Sequence, residues 1–159
     1  MALMDVRRWK VLYCILLSAS AFAQSGKPFK FADTSLFTPY QKFKAAHPNA
    51  KCQPLGMDKS CRVNNMAVGG VQPSRMNFNF ERGVLTNIAI TFYPAPTADQ
   101  VQQILTALSS QYGRPKAAAG YKGQVIYRWT TGKTAMSLFI PTSADDQALI
   151  VVDIPSQRD

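Results

Sequence analysis

The segment 74–93 constrains this chain more than any other. Met76, Phe78 and Phe80 alternate with Arg75, Asn77, Asn79 and Glu81, and Ile88, Ile90 and Phe92 resume the apolar phase after Glu81-Arg82-Gly83. A period of two places one residue set on each side of an extended strand. The glycine-containing break reads as a tight turn. Strands over 74–81 and 84–93 are therefore predicted to form an antiparallel hairpin with one apolar and one polar face.

Helix signals flank this hairpin. Thr38-Pro39-Tyr40-Gln41 reads as a capping box with proline at the first helical position. Tyr40, Phe43 and Ala46 share one side of the helix, which should end at His47-Pro48 because proline disfavours helical geometry before it. Residues 49–60 read as a loop, and 62–71 as an irregular strand bent at Gly69-Gly70. After Pro94-Ala95-Pro96 the order recurs. Thr97-Ala98-Asp99-Gln100 is a second capping box, and Val101, Ile104, Leu105 and Leu108 follow at helical spacing. Gly113 and Pro115 close that helix.

Strands are predicted over 116–119, 122–131, 133–141 and 147–154, with a turn at Thr131-Gly132. Val125, Tyr127 and Trp129 should face the helices. Ala148 to Val152 is apolar on both faces and should lie centrally. The expected fold class is α+β: an antiparallel sheet of about seven strands with two helices on one face, arranged as helix–βββ then helix–ββββ.

The N-terminus reads as an export signal. Arg7, Arg8 and Lys10 precede a short apolar stretch, and Ala21-Phe22-Ala23 fits the site of signal peptidase. The expected division is a signal peptide over 1–23, a flexible mature N-terminus over 24–33 and one domain over 34–155. The apolar stretch falls short of the ~20 residues that span a bilayer. Arg7-Arg8 raises twin-arginine export, but Trp9-Lys10 depart from that pattern and favour general secretion. The expected location is periplasmic or secreted, with no transmembrane segment after cleavage.

Cys14 would leave with the signal, so Cys52 and Cys61 remain and read as a disulfide in an oxidising compartment. Cleavage leaves 15 basic and 8 acidic residues, a net charge of +7. That balance favours acidic partners, such as an acidic protein face or an anionic envelope polymer. Nucleic acid does not suit the address, and no recognition motif for it appears.

Three stretches carry a resemblance: the helix end running from Phe43 to His47-Pro48 and Cys52, then Gln111-Tyr112-Gly113-Arg114-Pro115, then Tyr127-Arg128-Trp129-Thr130-Thr131-Gly132. Over 34–154 the chain resembles the small exported bacterial domains typified by the β-lactamase inhibitor protein and the small lipoprotein of the outer-membrane barrel-assembly machine. The resemblance implies short helices paired with antiparallel meanders. It also implies binding of other proteins through an exposed sheet face or loops, without enzyme activity. No binding motif matches position by position, so no functional residue is carried over.

The residues hold no recognisable catalytic set. Gly132-Lys133-Thr134 imitates the end of a phosphate-binding loop, but Tyr127 stands where its first glycine belongs. His47, the sole imidazole, precedes a helix-ending proline, a structural position. Asp145-Asp146 reads as a solvated turn. No metal site and no cofactor are expected. The candidate binding face is the polar side of the sheet, with Arg75, Asn77, Asn79, Ile126, Arg128 and Thr130, where arginine among polar and apolar neighbours resembles a protein interface. The expected function is that of an exported non-enzymatic binding protein, inhibitor-like or immunity-like towards an envelope or delivered enzyme. The alternative is an envelope-maintenance factor contacting anionic lipid or peptidoglycan.

Overall fold

A computed structural model describes residues 26–120, 123–143 and 145–154. The predicted signal peptide and residues 24, 25 and 155 lie outside them. The elements are β1 (Lys30–Phe31), β2 (Thr34–Ser35), α1 (Tyr40–Ala46), β3 (Lys51–Leu55), β4 (Asp58–Val63), β5 (Arg75–Glu81), β6 (Val84–Phe92), α2 (Ala98–Tyr112), β7 (Lys116–Ala119), β8 (Val125–Thr131), β9 (Thr134–Ile140) and β10 (Ala148–Asp153). The fold is α+β: β1 and β2 pair by themselves, and the other strands form one antiparallel sheet in the order β3-β4-β5-β6-β10-β9-β8-β7.

This sheet is two four-stranded meanders joined through their last strands. The β5–β6 hairpin turns at Arg82-Gly83, as its alternation requires, and Met76, Phe78, Ile88, Ile90 and Phe92 are all buried. β10 lies between β6 and β9, pairing Ile150 with Ile90 and with Leu138. The strand that is apolar on both faces thus takes the central position expected of it.

The helices and the segment 26–37 supply the cover for one face. Phe43 of α1 is fully buried, its ring 5.0 Å from Phe78 and 5.1 Å from Phe80. Replacing a buried phenylalanine by alanine typically costs ~3–5 kcal/mol, so this side chain fixes α1 on the first meander. α2 begins with the predicted capping box, in which the Thr97 hydroxyl accepts from the Gln100 N–H and the Gln100 side chain accepts from the Thr97 N–H. It buries Ile104, Leu108 and Tyr112. Just past its end, the carbonyl of Gly113 accepts from Trp129 Nε1 at 2.8 Å, which ties the helix to β8.

The structure corrects several expectations. The stretch 49–60, read as a loop, contains β3, so four strands rather than three lie between α1 and α2. Its sequence Lys-Cys-Gln-Pro-Leu shows no alternation, because an edge strand left largely exposed has no buried face to encode. The strand placed at 62–71 runs instead from Asp58 to Val63, with Cys61 inside it. Gly69-Gly70 forms a separate tight turn, closed by paired backbone hydrogen bonds between Val68 and Val71.

The Thr38 cap does not form either: its hydroxyl donates to the Ser35 carbonyl at 2.7 Å, and Pro39 occupies the N-cap. Finally, of the stretch 24–33, read as a flexible lead, the described residues 26–33 pack onto the domain. Phe29 and Phe31 are buried, and Phe29 packs edge-on against Tyr112 at 5.0 Å. The Tyr112 hydroxyl accepts from the Lys30 N–H and donates to the Lys30 carbonyl. Burial of the two phenylalanines offsets part of the entropy of ordering this segment.

Candidate binding face

Among the described residues no helix covers the second face of the large sheet, and strand alternation decides which side chains reach it. Because Met76, Phe78 and Phe80 point into the core, Arg75, Asn77 and Asn79 point outward from β5. Because Trp129 is buried, Ile126, Arg128 and Thr130 point outward from β8. The six residues singled out from sequence thus lie on one face, but in two groups. β6, β10 and β9 separate them, a distance of ~19 Å at the usual strand spacing.

The strands between supply residues that the sequence reading did not include. Following the pairing outward from Arg75, the opposed residues are Thr91, Leu149, Phe139, Ile126 and Ala118. Leu149, Phe139 and Ile126 are half-buried, with no helix or strand among the described residues packed over them. One row further along the strands, Asn77 opposes Ala89, which opposes Val151, which opposes Ser137 and then Arg128. The centre of the face is therefore small and apolar, and its flanks are polar and cationic.

A hydrogen-bonded ladder stiffens the flank on the first meander. Ser60 Oγ donates to Asn79 Oδ1 at 2.8 Å, and Asn79 Nδ2 donates to Asn87 Oδ1 at 2.9 Å. Beside it, Lys51, Gln53, Ser60, Arg62, Arg75 and Asn77 line a depression of about 250 Å³. The edge of this flank is locked by the Cys52–Cys61 disulfide, which joins directly opposed residues of β3 and β4. The inter-cysteine segment is thus a hairpin, with Leu55 and Met57 exposed at its tip.

The other residues weighed for chemistry fall elsewhere. His47 belongs to the packing of α1: its ring lies 4.8 Å from that of Phe43. The Thr34 hydroxyl donates to the Ala32 carbonyl at 3.2 Å, so it accepts from His47 Nε2 at 3.1 Å. These contacts tie the ring to Thr34 of β2. Gly132-Lys133 forms the β8–β9 turn, and Asp145-Asp146 lies in the β9–β10 connection. Among the described residues, no group of three metal-ligating side chains comes together and no helix is long and apolar enough to cross a membrane.

The ionisation of Tyr112 is displaced. Burial pushes its phenol upward from 10.0, while its hydrogen bond to the Lys30 backbone pulls the other way. The group anchors the N-terminal segment and lies on the covered side of the sheet.

These features define an α+β protein that packs one face of a wide antiparallel sheet and presents the other. No family model, curated protein or solved structure matches the chain.

Proposed function

We propose that this is an exported, non-enzymatic binding protein that docks another protein on the uncovered face of its large sheet, in an inhibitor-like or immunity-like role. One observation carries the reading: a sheet face that no described helix covers, whose half-buried centre of Ala89, Val151, Leu149 and Phe139 is bordered by polar and cationic residues. Protein interfaces share that layout of an apolar core inside a polar rim, and arginine is enriched in them.

The available area suits the role. Eight strands at ~4.8 Å spacing give a width of ~38 Å, and five or six residues along each give ~18 Å. The product, roughly 700 Å², is close to the ~800 Å² per partner of a standard interface. Export and the disulfide fit together, since an oxidising compartment would keep Cys52 and Cys61 joined.

The test is retention of a partner from an extract of the producing cells by immobilised protein at low and at physiological salt. Retention of one protein at the higher salt supports a packed interface. Retention of lipid or wall fragments alone, and only at low salt, would instead favour contact with an anionic envelope polymer.

A further inference from the structure

The central row of the uncovered face reads the same outward in both directions. From the junction of β6 and β10, the first meander presents Ala89, Asn77, Arg62 and then Lys51. The second presents Val151, Ser137, Arg128 and then Lys116. Each side therefore runs from a small apolar residue to a neutral polar one, then to arginine, then to lysine. Any antiparallel pair has a local two-fold axis normal to the sheet. The axis between Ala89 and Val151 exchanges Arg62 with Arg128 and Lys51 with Lys116.

All four cations are exposed, and the four central residues are half-buried. Arg62 and Arg128 stand five strand spacings apart, or ~24 Å. The row contains no carboxylate. Asp58, Glu81 and Asp153 also face this way, but all lie toward the end of the sheet that holds the β5–β6 and β8–β9 turns.

We propose that the face docks a folded protein carrying two groups of carboxylates ~24 Å apart on either side of an apolar patch. This rests on the protein-docking reading above and specifies its partner. Arginine presents a fixed fork that matches a carboxylate with two hydrogen bonds, and the adjacent lysine adds a second positive charge. Arg75, one row away on β5, adds to the Arg62 side, and the centre of the row at Ala89 and Val151 stays uncharged, which decides against a lipid surface or a polyanion. Either would lay hydrated charge across Ala89 and Val151, whereas a folded partner gains from covering them.

The two poles lie further apart than the ~8 Å screening length at physiological salt, so they act independently. Losses on reversing each charge should then multiply.

The test is carbodiimide coupling in an extract of the producing cells. This reagent joins a lysine amine to a carboxylate in direct contact, and mass spectrometry maps the linked pairs. The expected result is one partner protein with acidic residues linked to both Lys51 and Lys116. Yield should fall about tenfold in R62E and about tenfold in R128E, the size of one lost interfacial charge contact of ~1.4 kcal/mol. It should fall by the product in the double variant and stay unchanged in K42E, whose charge lies on α1.

Two outcomes separate this inference from the reading beneath it. If V151R abolishes capture while R62E and R128E do not alter it, the face docks a protein but the acidic poles are wrong. If none of the three substitutions alters capture, or no protein adduct forms, both readings fall. Dependence on one pole alone, or adducts confined to Lys42 and Lys133, overturns the two-pole geometry. So does binding to phosphatidylglycerol vesicles that R62E and R128E abolish, when no protein adduct accompanies it.

Discussion

Replacing Gly69 by alanine tests how the connection between β4 and β5 seats against α2. A Cβ at Gly69 would stand 2.7 Å from the carbonyl oxygen of Gln103 and 2.9 Å from Cα of Ile104. Both are backbone atoms of a helix whose Ile104 side chain is fully buried, so neither can rotate away. Ordinary contact begins near 3.4 Å, and either the turn or α2 must back off by several tenths of an ångström. Overpacking of that kind costs ~1–3 kcal/mol. The φ of +60° adds roughly 1–2 kcal/mol for a residue with a Cβ, and the stiffer unfolded chain returns ~0.4–1.

The net destabilisation is about 3 kcal/mol, or ~12 °C in Tm for a domain of this size. Gly70 is the internal control. It also has positive φ, at 82°, but an added Cβ there meets nothing within 4 Å. Gly70→Ala should therefore cost about 1 kcal/mol, carrying the conformational part alone. Urea denaturation of the two variants isolates the close approach as a difference of about 2 kcal/mol. Equal losses would refute the reasoning, since they would mean that contact with α2 contributes nothing.

Three further outcomes follow from particular contacts. Trp129→Phe removes the donor that satisfies the Gly113 carbonyl and should cost about 1–3 kcal/mol in chemical denaturation, with β8 still folded. Burial holds the Tyr112 phenol above 10.0, so its contribution to stability is intact below pH 10 and lost as pH climbs through the folded-state value. A pH series of melting temperatures should show a steeper decline above pH 10 in the wild type than in Tyr112→Phe. Cys52→Ala with Cys61→Ala should lower stability by ~2–3 kcal/mol through the freed chain, measured against the unreduced wild type.

The strength of each local signal decided how much of the fold was legible. The β5–β6 hairpin, the α2 capping box and the central position of β10 were readable, because alternation, capping chemistry and a doubly apolar strand each have a local cause. β3 was not, since Lys51, Gln53 and Pro54 on an exposed edge carry no pattern. The β1–β2 pair was missed for another reason: it is held by Phe29 and Tyr112, 83 positions apart.

The candidate face divides in the same way. Outward placement of Arg75, Asn77, Asn79, Ile126, Arg128 and Thr130 followed from alternation within single strands. The contributions of Lys51, Arg62, Lys116, Leu149 and Val151 required the order of strands and the β6–β10 register. That register joins Ala89 to Val151 across 62 positions with no turn to fix it.

The most direct test of the central claim is partner capture by three forms of the protein at about 0.15 M salt. These are the wild type, Val151→Arg at the centre of the uncovered face, and Ala45→Arg at an exposed position on α1. A docking face predicts that the wild type and Ala45→Arg retain the same protein and that Val151→Arg loses it while keeping its melting temperature. Full retention by Val151→Arg together with loss in Ala45→Arg would contradict the account and move the interface to the helical side.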